Sequence, residues 1–354
     1  MKFLLIIISS IVFFSMEAQT FSSPESIEYD PINQKWFVGQ NGSGKINIYE
    51  PSTSTLLPFA ANIPSGPHGI EIMGNTVYCC DGTTIKGFDI TTGLPTTDIS
   101  ISGSTFLNGL TTDGSNYLFA TDFSGKKIYR INPITGNYNV MRATVKTPNG
   151  IFYDGANNRC VFVTWGVNAE IQAMSLADST LSTLKATTLG SMDGITRDLD
   201  GNWYFTTWSN NSLNRIDASF LTAPVVVMNG LSSPADIDIN SVGDSIGIPN
   251  SGNANNVVFY SIQNTSGLVN LENEESIKVY PVPAVSENIT ILLDEPINNG
   301  KITLIDSEGR KISDRNANGY VFILETETLP SGTYIITLLN SENKLIHERK
   351  IILK

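Results

Sequence analysis

Five side chains fit for chemistry open successive repeats of this chain: Glu25, His68, Asn108, Asn149 and Asp193, with Ala235 in the sixth place. The repeats begin Pro24-Glu25-Ser26-Ile27, Pro67-His68-Gly69-Ile70, Leu107-Asn108-Gly109-Leu110, Pro148-Asn149-Gly150-Ile151, Met192-Asp193-Gly194-Ile195 and Pro234-Ala235-Asp236-Ile237. Two carboxylates and two carboxamides are hard oxygen ligands, suited to calcium or another divalent cation completed by water. Such a cation polarises an ester or lactone carbonyl, and a neighbouring carboxylate can take the proton of the attacking water. Carboxylates crowded at one place repel unless a cation or proton intervenes, which favours a metal role for Glu25 with Asp193. Asn or Asp before Gly also suits a tight turn, because both tolerate left-handed geometry and cap their own backbone. For Asn108 and Asn149 taken singly, the turn is the favoured reading.

The elements that must position these residues follow from the period, which is roughly forty residues. Each unit carries short runs rich in Val, Ile, Thr and Tyr, such as residues 160–164 and 203–207, separated by polar turns. Several short strands per unit at that period specify a β-propeller, here of six blades over residues 19–263. The first strand of each blade lines the central axis, so the opening residues gather at one mouth of the channel. The second strands end at the same mouth, where Asp81, Asp122, Trp165, Trp208 and Asn250 form an outer ring. Trp165 and Trp208 beside polar groups make a platform for a sugar or aromatic ligand, or equally pack the blades. His68 is a second base or a hydrogen-bonded channel residue, the latter being commoner.

This pattern resembles the SMP-30/gluconolactonase family of propellers, related to NHL-like repeats, over roughly residues 20 to 265. The likeness rests on Pro24-Glu25, Asn108-Gly109, Pro148-Asn149-Gly150 and Asp193-Gly194 in that order. It implies Glu25, Asn149 and Asp193 as metal ligands, calcium foremost, with Asn108 contacting substrate and Asp193 doubling as general base. One departure is Phe106, where gluconolactonase-like enzymes often carry an Arg that grips an acidic sugar. A sugar-acid lactone is therefore in doubt as substrate. The competing class is a non-catalytic propeller that binds a glycan, peptide or protein at the cell surface.

The rest of the chain bears on where the protein works. Lys2, the apolar run at residues 3–14 and Ala18 make a secretory signal over residues 1–18. Residues 264–276 are polar and acidic and serve as a linker. Residues 277–354 alternate as a small β-sandwich of about seven strands, so the fold class is all-β throughout. Tyr280-Pro281-Val282-Pro283, Asp306 to Gly309, Leu329-Pro330-Ser331-Gly332-Thr333-Tyr334 and the basic last strand resemble the type A sorting domain of the type IX secretion system. Val282 stands where that family usually has Asn. The resemblance implies secretion machinery as partner and release to, or attachment at, the outer-membrane surface.

A net charge of -12 argues against a nucleic-acid partner, and no apolar run after the signal is long enough to span a bilayer. Cys79 and Cys80, neighbours in a strand, point to opposite faces, and with Cys160 they read as buried small apolar residues. Gly42-Ser43-Gly44-Lys45 lacks P-loop spacing, and Asp198-Leu199-Asp200-Gly201 aligns with the Asp-Gly turns of other repeats.

Overall fold

Runs of β-branched and aromatic residues bounded by short polar turns fold as antiparallel meanders, because such side chains fit a pleated, half-buried surface. The computed structural model describes residues 20–262, 277–280, 288–306, 310–341 and 345–353. The signal at 1–18, the linker at 264–276 and the Pro281-Val282-Pro283 motif lie outside the described residues. The chain divides into two compact units, Met1–Ile262 and Gln263–Lys354.

The first unit is a propeller of five four-stranded sheets followed by one described with three strands, each an up-and-down meander. The strand nearest the axis comes first in each sheet: Pro24–Asp30, Ile70–Met73, Leu107–Thr112, Thr147–Asp154, Met192–Arg197 and, in the last, Asp238–Ile239. Facing sheets bury one apolar cluster at every joint. Phe37 and Ile46 meet Val77 and Phe88 between the first two sheets. Ile27 and Trp36 meet Val257 between the first and the last, so the sheets close into a ring. Each large apolar side chain buried this way contributes about 1.5–3 kcal/mol. Cys79 and Cys80 are free and buried in different clusters, one toward each neighbouring sheet.

Hydrogen bonds stitch the same ring at its inner edge. Gly69 N–H donates to Asn108 O at 2.7 Å, and Asp236 N–H to Glu25 O at 3.1 Å. Thr121 Oγ1 accepts from Gly109 N–H and donates to Asn149 O, and Thr206 Oγ1 repeats this between Gly194 and Ala235. Asn149 Nδ2 donates to Met192 O at 3.1 Å, and Ile72 N–H to Glu28 Oε1 at 3.4 Å.

This close approach corrects the turn reading of the Asn-Gly pairs. Asn108-Gly109 and Asn149-Gly150 lie inside strands, and neither glycine has a positive φ. A Cβ on Gly109 would fall 2.5 Å from Asn149 O, and one on Gly150 would fall 2.3 Å from Asp193 O. These glycines exist to let neighbouring inner strands touch.

The second unit is one five-stranded sheet, with strands Ile277–Tyr280, Ile289–Asp306, Lys311–Leu324, Gly332–Leu339 and Leu345–Leu353. Among the described residues five strands stand where about seven were expected, and Ile289–Asp306 and Lys311–Leu324 stay paired through register shifts between Leu292 and Gly300. Both halves of the longest strand feed one core, with Ile289 and Ile291 from one end and Ile302 and Leu304 from the other.

Gly150→Ala is expected to cost about 1–3 kcal/mol, as overpacking against a backbone that cannot retreat does. Urea unfolding of the propeller measures it. An unchanged midpoint would mean that the strands have room to separate.

Candidate functional site

Glu25, Asn108, Asn149 and Asp193 stand in the first residues of the inner strands and His68 just before one, and a direct hydrogen bond joins two of them. Asn149 is 1% exposed and Asp193 4% exposed, and Asn149 Nδ2 donates to Asp193 Oδ1 at 3.1 Å. Asn149 Oδ1 is buried and has no hydrogen-bond partner. Such an orphaned acceptor is costly unless a ligand completes it. Glu25, from the first sheet, accepts from Ser251 Oγ at 2.7 Å. Burial pushes the Glu25 carboxyl up to about 7, with the Ser251 hydrogen bond opposing. Burial, then the charges of Glu25 and Asp236, hold Asp193 well above the usual carboxylate range. The two expected carboxylates therefore feel each other, which is the condition a shared cation or proton relieves.

Asp236 belongs to this group and escaped the sequence reading. It occupies the column that holds Gly69, Gly109, Gly150 and Gly194 in other repeats, and that break in the column was the available signal. Burial pushes its carboxyl up to about 8, with Asp238 and Glu25 adding to the rise. Among the described residues no three His, Cys, Asp or Glu side chains form a ready metal cluster. The expected ligand set differs in kind, since its third member is the Asn149 carboxamide.

His68 is buried, its Nδ1 without a hydrogen-bond partner. Burial lowers its pKa to about 4, against the opposing pull of Asp81, so it stands neutral at pH 7. A neutral imidazole can orient a ligand but is a weak base. Asn108 is buried at the mouth, its backbone oxygen taken by Gly69.

Three of the five outer-ring residues, Asp81, Asp122 and Asn250, are held by structural partners. Asp81 pairs with Lys86 at 2.9 Å and accepts from Ser65 N–H. Asp122 is tied to Thr105, Phe106 N–H and Gly125 N–H. Asn250 caps Ser232 N–H and donates to Asn256. Trp165 and Trp208 remain half-buried, ring centroids 5.0 Å apart, and continue a series of edge-on rings through Phe123 and Phe106 to His68. Trp208 Nε1 lies beside Asp193 and helps hold its charge, yet falls short of a hydrogen bond.

A second set of carboxylates lies three residues further along the inner strands, around a cavity of about 200 Å³ lined by Glu28, Glu71, Thr111, Asp236 and Asp238. Each keeps some surface open to the channel while protein surrounds it. Burial, with Asp238 second, pushes Glu71 up to about 8. Burial also raises Asp238 to about 6, and burial with Glu71 and Asp238 raises Glu28. Asp238 accepts from Tyr29 N–H at 2.8 Å, so these acids also latch neighbouring sheets. The sequence reading passed over them because a lone acid in a strand resembles an outward-facing residue.

Residues 278–354 match the family model of the secretion system C-terminal sorting domain. The second unit is a sorting domain. The sorting domain marks the protein as secreted or held at the outer-membrane surface, and it implies contact with the type IX secretion machinery. Among the described residues no helix is long and apolar enough to cross a membrane. No curated protein matches the chain. Virginiamycin B lyase from Staphylococcus aureus superposes with a TM-score of 0.52 at 16% identity, over 85% of this chain and 95% of its own. A chain of a nidogen/laminin complex does so at 0.51 and 15%, over 80% and 96%. A protein of unknown function from Bacteroides thetaiotaomicron gives 0.58 at 13%, over 70% and 71%. At these identities the likeness establishes the propeller fold alone.

The raised carboxyls set a pH dependence. A carboxyl whose pKa is higher folded than unfolded holds its proton in the fold, so its stability is complete below the unfolded value and lost as pH climbs through the folded one. Freed of divalent cations with EDTA, the propeller should melt highest near pH 5 and lose stability from about 6 to about 8, the range of Asp238, Glu25, Glu71 and Asp236. Glu71→Gln should flatten that slope and raise the melting midpoint at pH 8.5 by about 3 °C. Scanning calorimetry across pH decides it, and a midpoint that rises from pH 6 to 8 contradicts the assignment.

Proposed function

We propose that the first unit is a six-bladed propeller of the SMP-30/gluconolactonase type whose mouth binds a divalent cation, calcium foremost, and hydrolyses a lactone or related ester. The supporting observation is the grouping of Glu25 and Asp193, each raised in pKa by burial and linked through charge, with the unpartnered Asn149 Oδ1. Glu25, Asn149 and Asp193 would hold the cation. When bound, it supplies Lewis acidity toward a carbonyl oxygen and toward water. Asp193 then serves as the proton acceptor for the attacking water, and its environment suits it, since a carboxyl raised above its ordinary range is a stronger base once ionised. Asn149 Nδ2, by donating to Asp193 Oδ1, fixes which carboxylate oxygen stays free for that role. Asn108 and neutral His68 line the approach and orient the substrate oxygens by hydrogen bonds. The aromatic rim keeps bulk water from the acyl group.

The second reading is a non-catalytic propeller that binds a glycan, peptide or protein. It is favoured by one observation: burial and the neighbouring charges of Glu25 and Asp236 favour the protonated form of Asp193, which works against a role as base.

Calcium titrated into the EDTA-treated, full-length secreted protein should raise its melting midpoint by roughly 5–10 °C at a hundredfold excess over Kd. Asp193→Ala should lose that shift together with hydrolysis across a lactone panel. Equal melting with and without calcium, and equal activity of the variant, would overturn the mechanism. Deleting residues 277–354 should leave the propeller in the periplasm, as cell fractionation would reveal. Normal secretion of the truncated chain would contradict the sorting role.

A further inference from the structure

The channel mouth has two unlike halves. Toward the third, fourth and fifth sheets stand Phe106, Phe123, Trp165 and Trp208, all partly exposed, with successive ring centroids 5.8, 5.7 and 5.0 Å apart. Toward the sixth and first sheets stand Glu25, Ser251 and Asp236. Phe106 and Phe123 carry no polar handle. Of the carboxylates near that wall, Asp122 is held by Thr105, Phe106 N–H and Gly125 N–H, and Asp81 by Lys86 and Ser65 N–H, which leaves Asp193, beside Trp208 at one end of it. A polyhydroxylated ring seated against Phe106 and Phe123 would find no hydrogen-bond partner on those two side chains, and a buried unpaired hydroxyl disfavours binding. An apolar ring gains both contact area and ring–ring geometry there.

Polar groups waiting for a ligand sit at the foot of the same wall. Trp208 Nε1 is a buried donor without an acceptor, and Asn149 Oδ1, on a side chain 1% exposed, is an acceptor without a donor. An indole N–H at the end of an aromatic wall fits the carbonyl oxygen of a ligand whose ring lies along that wall.

We propose that the mouth takes an uncharged carbonyl compound carrying a flat apolar ring, such as an aryl-fused lactone, with its ring on Phe123 and Trp165 and its carbonyl at Trp208 Nε1. This selects the substrate class within the hydrolytic reading and rests on that reading only for turnover. Binding is independent of it. Phe106 is the specificity residue, because an apolar side chain there leaves nothing to hold a carboxylate substituent.

Calorimetric titration of the full-length secreted protein tests it, with 2-tetralone as a non-hydrolysable aryl-fused ketone, and glucose and gluconate as hydroxylated probes. The ketone should bind about tenfold or more tightly than either. Trp165→Ala should weaken ketone binding about tenfold with an unchanged melting midpoint. Phe123→Ala supplies a second disruption of the same wall should the Trp165 variant fail to fold. Phe106→Arg should move preference toward gluconate. Glucose or gluconate binding as tightly as the ketone, no detectable ketone binding, or ketone affinity indifferent to both wall variants overturns the proposal. Calcium-dependent hydrolysis of dihydrocoumarin is followed in parallel. If hydrolysis is absent while Trp165-dependent ketone binding persists, the catalytic reading falls and the ligand class stands. If hydrolysis occurs but the wall variants leave ketone binding unchanged, the reverse holds.

Discussion

Contact between neighbouring inner strands is the constraint on which this molecule depends. At four successive joints a glycine removes the Cβ that would collide with the next strand: Gly69, Gly109, Gly150 and Gly194. The residue just before each glycine then sits where the strands converge and turns its side chain to the mouth. His68, Asn108, Asn149 and Asp193 are thus brought together by a packing requirement, whatever chemistry they perform. Where the glycine is absent, as at Ser26 and Asp236, the joint is held by other means, including the Asp236 N–H bond to Glu25 O.

Convergence has an electrostatic consequence. Six acids, Glu25, Glu28, Glu71, Asp193, Asp236 and Asp238, come from the first, second, fifth and sixth sheets into one channel, and each is pushed above its ordinary range by burial. In low-dielectric surroundings like charges at short range cannot all be ionised together. The fold tolerates them only with protons or a cation among them. Stability spent on an arrangement of this kind is the usual mark of a site, because packing alone would have chosen apolar side chains.

The forty-residue period and the alternation within each unit were enough to read the propeller, whereas the sorting domain was read from the resemblance of its motifs, Tyr280 to Pro283, Asp306 to Gly309 and Leu329 to Tyr334. The candidate mouth residues came from the one column of the repeat whose polar side chain changes from unit to unit, between a column that is mostly Pro and one that is mostly Gly. Two things were hidden. Asn-Gly has the same sequence signature whether glycine relieves a left-handed turn or a close strand contact, and only three-dimensional neighbours separate the two. Asp81, Asp122 and Asn250 are indistinguishable in sequence from ligand-facing residues, yet each is occupied by loop N–H groups or a lysine. Conversely the acids at Glu28, Glu71 and Asp238 became visible only when the strands were stacked in register around the axis.

Ring closure and the candidate site use the same residues, and this ties stability to ligation. The last sheet meets the first through Asp236 N–H and Glu25 O, and the Glu25 side chain faces Ser251 across that joint. The chain has no disulfide among its three cysteines to lock the closure, and burial raises each thiol and leaves it inert. Holding the ring therefore falls to the apolar clusters and to whatever neutralises the carboxyls at the seam. A proton does so at low pH, and a cation held by Glu25 and Asp193 would do so at neutral pH while crossing from the first sheet to the fifth. Any ligand that prefers the closed ring must tighten it by the same free energy with which it binds. The acidic half of the mouth is then the clasp of the propeller and, on the proposed reading, its reactive edge as well, with the aromatic half left free to select what is brought there.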